Sequence, residues 1–239
     1  MRPGVGGRDK RDKSGLGRRW GGGLAMKRRD FLLGGATAAM LSTGQARGSQ
    51  PFGISCFGDS LTEGGVLENW VTDRYPSQLQ SYYPDRVVSN FGMAGQPSQV
   101  VLGRFRAEFA RHSLDTHVIW SGINNFWQPD AVMADLDAMV EALGLSGFGH
   151  GRVVVLTVLN SARQGVGTAE YEQVVALNTS IAARFGDHVL DIRNLLVAAS
   201  GGENDAINPT WTSDGLHPTG EANAFIAGQV RDFIDRRGW

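Results

Sequence analysis

From residue 52 onward, short runs rich in β-branched and aromatic residues alternate with longer stretches whose apolar positions recur at helical spacing. Phe52 to Phe57 reads as a strand, followed by an amphipathic stretch from Trp70 to Tyr83. Arg86 to Asn90 and Thr116 to Trp120 read as two more strands, with a helix over Gln99 to His112 between them. A helix over Ala131 to Leu143 leads into Val153 to Leu159, a continuous apolar run that fits a strand covered on both faces. A helix over Ala169 to Phe185 and a strand over Val189 to Ile192 come next. After Leu195 the pattern breaks into a polar loop that ends at a last helix, Thr219 to Arg236. About five strand–helix alternations predict an α/β fold with a parallel sheet of about five strands between layers of helices. Ligands then bind at the carboxyl ends of the strands, so functional residues are sought directly after strands.

The first 46 residues follow a different pattern. Residues 1 to 25 hold eight glycines and many charges without apolar periodicity, which predicts disorder or an upstream extension ahead of a start at Met26. Lys27-Arg28-Arg29-Asp30-Phe31-Leu32-Leu33, a mildly apolar stretch to Leu41 and the small triplet Gly44-Gln45-Ala46 have the layout of a signal peptide. The paired arginines before Phe-Leu resemble a twin-arginine signal, so export to the periplasm or beyond, with cleavage after Ala46, is expected. The competing reading, a membrane anchor, meets an apolar stretch of only 11 residues where about 20 are needed. Residues 47–239 are left as one domain, with no internal repeat or dividing linker.

The leader holds 10 of the 23 Lys and Arg but 3 of the 24 Asp and Glu, so the domain carries 13 basic and 21 acidic residues, a net charge near −8. It has no Lys at all after Lys27. Nucleic acid and anionic membrane surfaces are therefore disfavoured as partners. Cys56 is the single cysteine, so no intramolecular disulfide can form; it reads as a buried strand residue.

Four segments carry candidate chemistry. Phe57-Gly58-Asp59-Ser60-Leu61-Thr62-Glu63-Gly64 follows the first strand and puts Ser60 where the chain turns toward a helix start. There its hydroxyl is exposed, and N–H groups and a helix dipole would stabilise negative charge on a bound carbonyl oxygen. Equally, Ser60 and Glu63 have the spacing of a capping box, which involves no chemistry. Asp214-Gly215-Leu216-His217-Pro218 sets a carboxylate three residues before an imidazole, close enough to hold Nδ1 and leave Nε2 as a base. Such a pair is also a common polar turn. Asn90-Phe91-Gly92-Met93-Ala94-Gly95 and Ser121-Gly122-Ile123-Asn124-Asn125 follow strands two and three, where Gly95 N–H and the Asn124 amide could join the Ser60 N–H around one oxygen.

These four segments, in this order, resemble the SGNH hydrolases, or GDSL esterases and lipases. The resemblance covers residues 52 to 237. It implies a three-layer flavodoxin-like fold, Ser60 as nucleophile, Asp214 and His217 as its activating pair, and Ser60, Gly95 and Asn124 as oxyanion donors. One departure is Asn125, since the family commonly has Gly-x-Asn-Asp there; the amide is expected to loosen this loop without removing the donor. The order Ser, Asp, His also occurs in α/β-hydrolases, but no Gly-x-Ser-x-Gly is present.

Asp59, Phe126, Trp127 and Trp211 border these segments and are candidates to line the substrate, although the aromatic ones read equally as core. His112 and His117 lack metal-ligand spacing and no glycine cluster matches a nucleotide loop, so neither metal nor cofactor is implied. The expected activity is hydrolysis of carboxylic esters through an acyl-enzyme, on short acyl or O-acetyl esters of small molecules or polysaccharide. Lysophospholipase or thioesterase action on long acyl chains, and a non-catalytic carbohydrate-binding protein on the same fold, are the alternatives. Oligomeric state is not legible.

Overall fold

The computed structural model describes residues 52–145 and 151–239; the expected signal segment and its cleavage point lie outside them. Five strands form one all-parallel sheet: β1 (Ile54–Gly58), β2 (Val88–Gly92), β3 (Thr116–Trp120), β4 (Val153–Leu156) and β5 (Val189–Leu190). Their order is β2-β1-β3-β4-β5. Every residue of β1, β3 and β4 is buried, as their apolar runs require of strands covered on both faces.

Helices α1 (Ser60–Glu63), α2 (Trp70–Asp73) and α3 (Tyr75–Tyr82) lie between β1 and β2. Then come α4 (Ser98–His112), α5 (Pro129–Leu145), α6 (Ala169–Phe185), α7 (Ile192–Ser200) and α8 (Gly220–Arg236). α8 packs against α3 and α7, while α5 packs between α4 and α6, giving helical layers around the sheet. This is the three-layer α/β fold expected from the alternation. Among the described residues no helix is long and apolar enough to cross a membrane.

The amphipathic stretch 70–83 is two helices, because Arg74 is extended (ψ 146°). A continuous helix would drive the Pro76 ring into the Thr72 carbonyl, whereas Pro is well placed in the first turn of a new helix. β4 stops at Leu156, three residues earlier than its apolar run. Beyond it the Asn178 amide of α6 takes over the ladder, accepting from Val158 N and donating to Val158 O, both at 2.8 Å. α7 occupies the start of what reads as loop: Asp191 caps its first turn and Gly201, at φ 65°, closes it.

The chain leaves β1 for β2 on one side, then crosses to β3 on the other. Loops after β1 and β3 therefore diverge, and the crevice between them opens at the carboxyl ends of these two strands.

Candidate active site

β1 delivers the chain to this crevice through Gly58, which pairs with Gly92 of β2 and Trp120 of β3. A Cβ at Gly58 would collide with the Thr62 side chain and the Trp120 carbonyl, so only glycine lets the turn sit this low. The next residue, Asp59, caps α1 by accepting from Leu61 N at 3.1 Å. Glu63 does not reach back to the helix start; its carboxylate accepts from Ala94 N at 3.0 Å. The capping-box reading is thereby overturned, and the Ser60 hydroxyl is left for another partner. α1 is a single turn of four residues. A helix dipole is not available at that length, so stabilisation of an anion here must come from individual N–H groups.

The partner of Ser60 is His217, 157 positions away: Nε2 lies 2.9 Å from Ser60 Oγ. On its other side Nδ1 lies 2.7 Å from Asp214 Oδ2. Asp214 Oδ1 accepts from Leu216 N at 3.0 Å and His217 N at 2.9 Å, wrapping the turn around the carboxylate, with Gly215 at φ 91°. Burial pushes this carboxyl upward, but the donors of His217 and Leu216 outweigh it and hold the group at about 2. An ionised Asp214 has no proton to give, so Nδ1 carries the ring proton and the Nε2 lone pair faces the serine.

The turn itself is anchored. The His217 carbonyl accepts from Ser213 N at 2.9 Å, Thr212 bridges to Pro218, and Gly215 O accepts from Ala162 N at 2.7 Å.

Gly95 lies between two tethers. On one side Ala94 N is held by Glu63; on the other, Gln96 O accepts from Asn124 Nδ2 at 3.1 Å. The loops after β1, β2 and β3 are thus tied to one another around the crevice. Gly95 has φ 71°, and a Cβ there would meet nothing within 4 Å, so the residue is needed for backbone conformation and leaves its surroundings open. Among the described residues no acceptor lies on the N–H of Ser60 or of Gly95.

Asn125 does not loosen its loop. It is buried, accepts from Ser98 N at 3.1 Å and donates to Ser98 Oγ at 2.9 Å, and that hydroxyl donates to Asp135 at 2.6 Å. It thereby caps α4, whose own cap residue Pro97 has no side-chain donor or acceptor. Nothing in the sequence marks Glu63, Gln96 or Asn125 as a tether, because each acts on a partner in another segment and such contacts carry no periodic signal.

Of the four candidate lining residues, Asp59 is fully buried under Ser60 and cannot touch substrate. Burial, opposed by N–H bonds from Leu61 and from its own backbone and by Arg104, pushes its carboxyl up to about 7. Phe126 is core at 6% exposure, and Trp211 is half-buried against Phe225. Trp127, 55% exposed and edge-on to Phe126, alone presents an open aromatic face. Cys56 is buried in β1 and its thiol is pushed up to about 12 by burial, which rules it out as a nucleophile.

A 2-1-3-4-5 parallel sheet that brings a serine, an imidazole and a carboxylate into series at its carboxyl edge defines the SGNH class of three-layer α/β proteins. The chain belongs to the GDSL-like Lipase/Acylhydrolase family, whose model matches residues 56–225. Its fold is similar to that of a lipolytic G-D-S-L family member from Veillonella parvula, with TM-score 0.63 and 19% identity over 78% of this chain and 100% of that one. A GDSL-like lipase from Bacteroides thetaiotaomicron gives TM-score 0.62 and 23% identity over 79% and 92%. The lipase/acylhydrolase from Enterococcus faecalis gives 0.60 and 19% over 78% and 97%. No curated protein matches the chain in sequence.

Proposed function

We infer that the chain hydrolyses carboxylic esters through an acyl-enzyme formed on Ser60. The observation that carries this reading is the 2.9 Å contact between His217 Nε2 and Ser60 Oγ, backed by an ionised Asp214. In the first step Ser60 Oγ bonds to the ester carbonyl carbon and its proton passes to His217 Nε2. The oxyanion is received by the free N–H groups of Ser60 and Gly95 and by the Asn124 amide. The bond to the alcohol then breaks as His217 returns the proton to the leaving oxygen; water repeats the sequence and frees the serine. No step requires a cofactor.

Short acyl or O-acetyl esters are the proposed substrates, on small molecules or polysaccharide. In support, Phe126 and Trp211 turn into packing and do not offer a wall for a long chain, while the open face of Trp127 suits a sugar ring. The twin-arginine-like leader supports action outside the cytoplasm.

Purified protein is assayed on p-nitrophenyl acetate, butyrate and palmitate and on acetylated xylan. Turnover should be highest on the acetyl esters, and Ser60→Ala should lower kcat by up to about 10⁶-fold. Full turnover by Ser60→Ala would overturn the nucleophile, preference for palmitate would move the substrate to long acyl chains, and no turnover on any ester would favour a binding role.

A further inference from the structure

Resting on the reading of Ser60 and His217 as nucleophile and base, we propose that Asn223 is a positioning residue that sets the separation of these two groups. Asn223 lies in the first turn of α8, is 2% exposed, and spends all three of its main hydrogen-bonding contacts on backbone. Its Nδ2 donates to Pro218 O at 2.9 Å and Thr219 O at 3.0 Å, and its Oδ1 accepts from Tyr75 N at 3.0 Å.

The three partners lie on the two sides of the reacting pair. Pro218 follows His217 directly. Its φ is fixed by the ring, and the bond from Asn223 fixes the orientation of its carbonyl, so little backbone freedom remains between His217 and α8. Tyr75 opens α3, whose cap residue Arg74 makes no side-chain capping bond, so Asn223 supplies the missing acceptor. Arg74 and Tyr75 in turn sit on the far end of the nucleophile turn: a Cβ at Gly64 would strike the Arg74 side chain, and Arg74 Nη1 reaches Glu63 O at 3.5 Å. A mechanical loop runs from Ser60 through Glu63–Gly64, Arg74–Tyr75, Asn223 and Pro218 to His217, and closes at the 2.9 Å contact. The buried amide grips both halves of that loop next to Pro218, while Gln78 Nε2 ties Asp73 O to Gly220 O further along. A group of similar volume without its donors and acceptor would let the His217 turn drift relative to α1, and a shift of about 1 Å at reacting groups can cost on the order of 100-fold in rate.

The test is Asn223→Leu, close in volume but apolar, with Asn223→Ser, which keeps one donor, as the second variant. The expected result on p-nitrophenyl acetate is a fall in kcat of about 10- to 100-fold with KM within about twofold, smaller for Ser than for Leu. The concentration of reactive sites, counted with a fluorophosphonate, corrects for any unfolded fraction. In parallel the downfield proton resonance of the His217 Nδ1–H to Asp214 bond should shift or broaden in both variants. Wild-type kcat per titrated site together with an unchanged resonance overturns the proposal. If Asn223→Leu does not fold, Asn223→Ser decides in the same way. The resonance also separates this proposal from the esterase reading: should the wild type turn over no ester, that reading fails while the His217 signal still shows whether Asn223 positions the ring.

Discussion

Asp214 is a half-exposed carboxylate that nonetheless stays ionised far into acid, because two N–H groups and the His217 ring converge on it. With its folded value near 2, below that of a free carboxyl near 4, it contributes stability that is present above about pH 4 and is lost as pH falls toward 2. Across neutral pH its charge is constant, and in the proposed mechanism it fixes the tautomer of His217. Asp214→Asn would put a donor where Nδ1–H now points, so the ring must carry its proton on Nε2 and face Ser60 as a donor, unable to act as a base. The expected loss in kcat is about 10³- to 10⁴-fold at pH 7 with an intact fold, read by p-nitrophenyl acetate turnover beside a circular dichroism spectrum. A loss under tenfold would mean that the tautomer is set elsewhere.

At the scale of elements, what could be read from sequence is what periodicity reports. The buried strands and long helices announce themselves by apolar spacing; β3 and α6 begin and end where the pattern does. Elements that depend on a single distant side chain leave no such trace. β4 ends early because Asn178, on α6, substitutes for a neighbouring strand, and nothing local to Val158 signals that. α7 was obscured because its first residue, Ile192, extends the apolar run of β5, although Asp191 and Gly201 bracket it as caps. The candidate site divides likewise. Ser60, Asp214, His217, Gly95 and Asn124 are announced by their segments, while Glu63, Asn125 and Asn223 act on partners far away in the sequence, which no segment shows. Asn178→Ala tests the strength of such a device. It strips both partners from the backbone of Val158, which is 1% exposed, and should destabilise the domain by about 2–3 kcal/mol in urea unfolding.

For the molecule as a whole, two buried ionisable groups set opposing responses to pH. His117, on β3, is packed among Phe57, Phe105 and Phe109 with neither ring nitrogen bonded among the described residues; burial, against the nearby Asp115, pushes it down to about 4. His112 and Arg152 add to that push. Asp59, with Oδ2 unbonded, is pushed up to about 7 despite Arg104. The signs follow from which state binds protons. Between about pH 4 and 6.5 the unfolded chain protonates His117 and the folded one does not, so this residue makes stability rise with pH. Over about pH 4 to 7 the folded chain keeps the Asp59 proton and the unfolded one releases it, so Asp59 makes stability fall with pH. Each effect is on the order of 3 kcal/mol end to end, and over their shared window they largely cancel. Single substitutions should therefore expose opposite slopes. Asp59→Asn, which preserves a cap of equal quality, should leave a protein that unfolds at lower urea at about pH 5 than at pH 7. His117→Phe should do the reverse, while the wild-type midpoint changes little between the two. Parallel slopes in both variants would mean that neither group is held in the folded state as its burial requires.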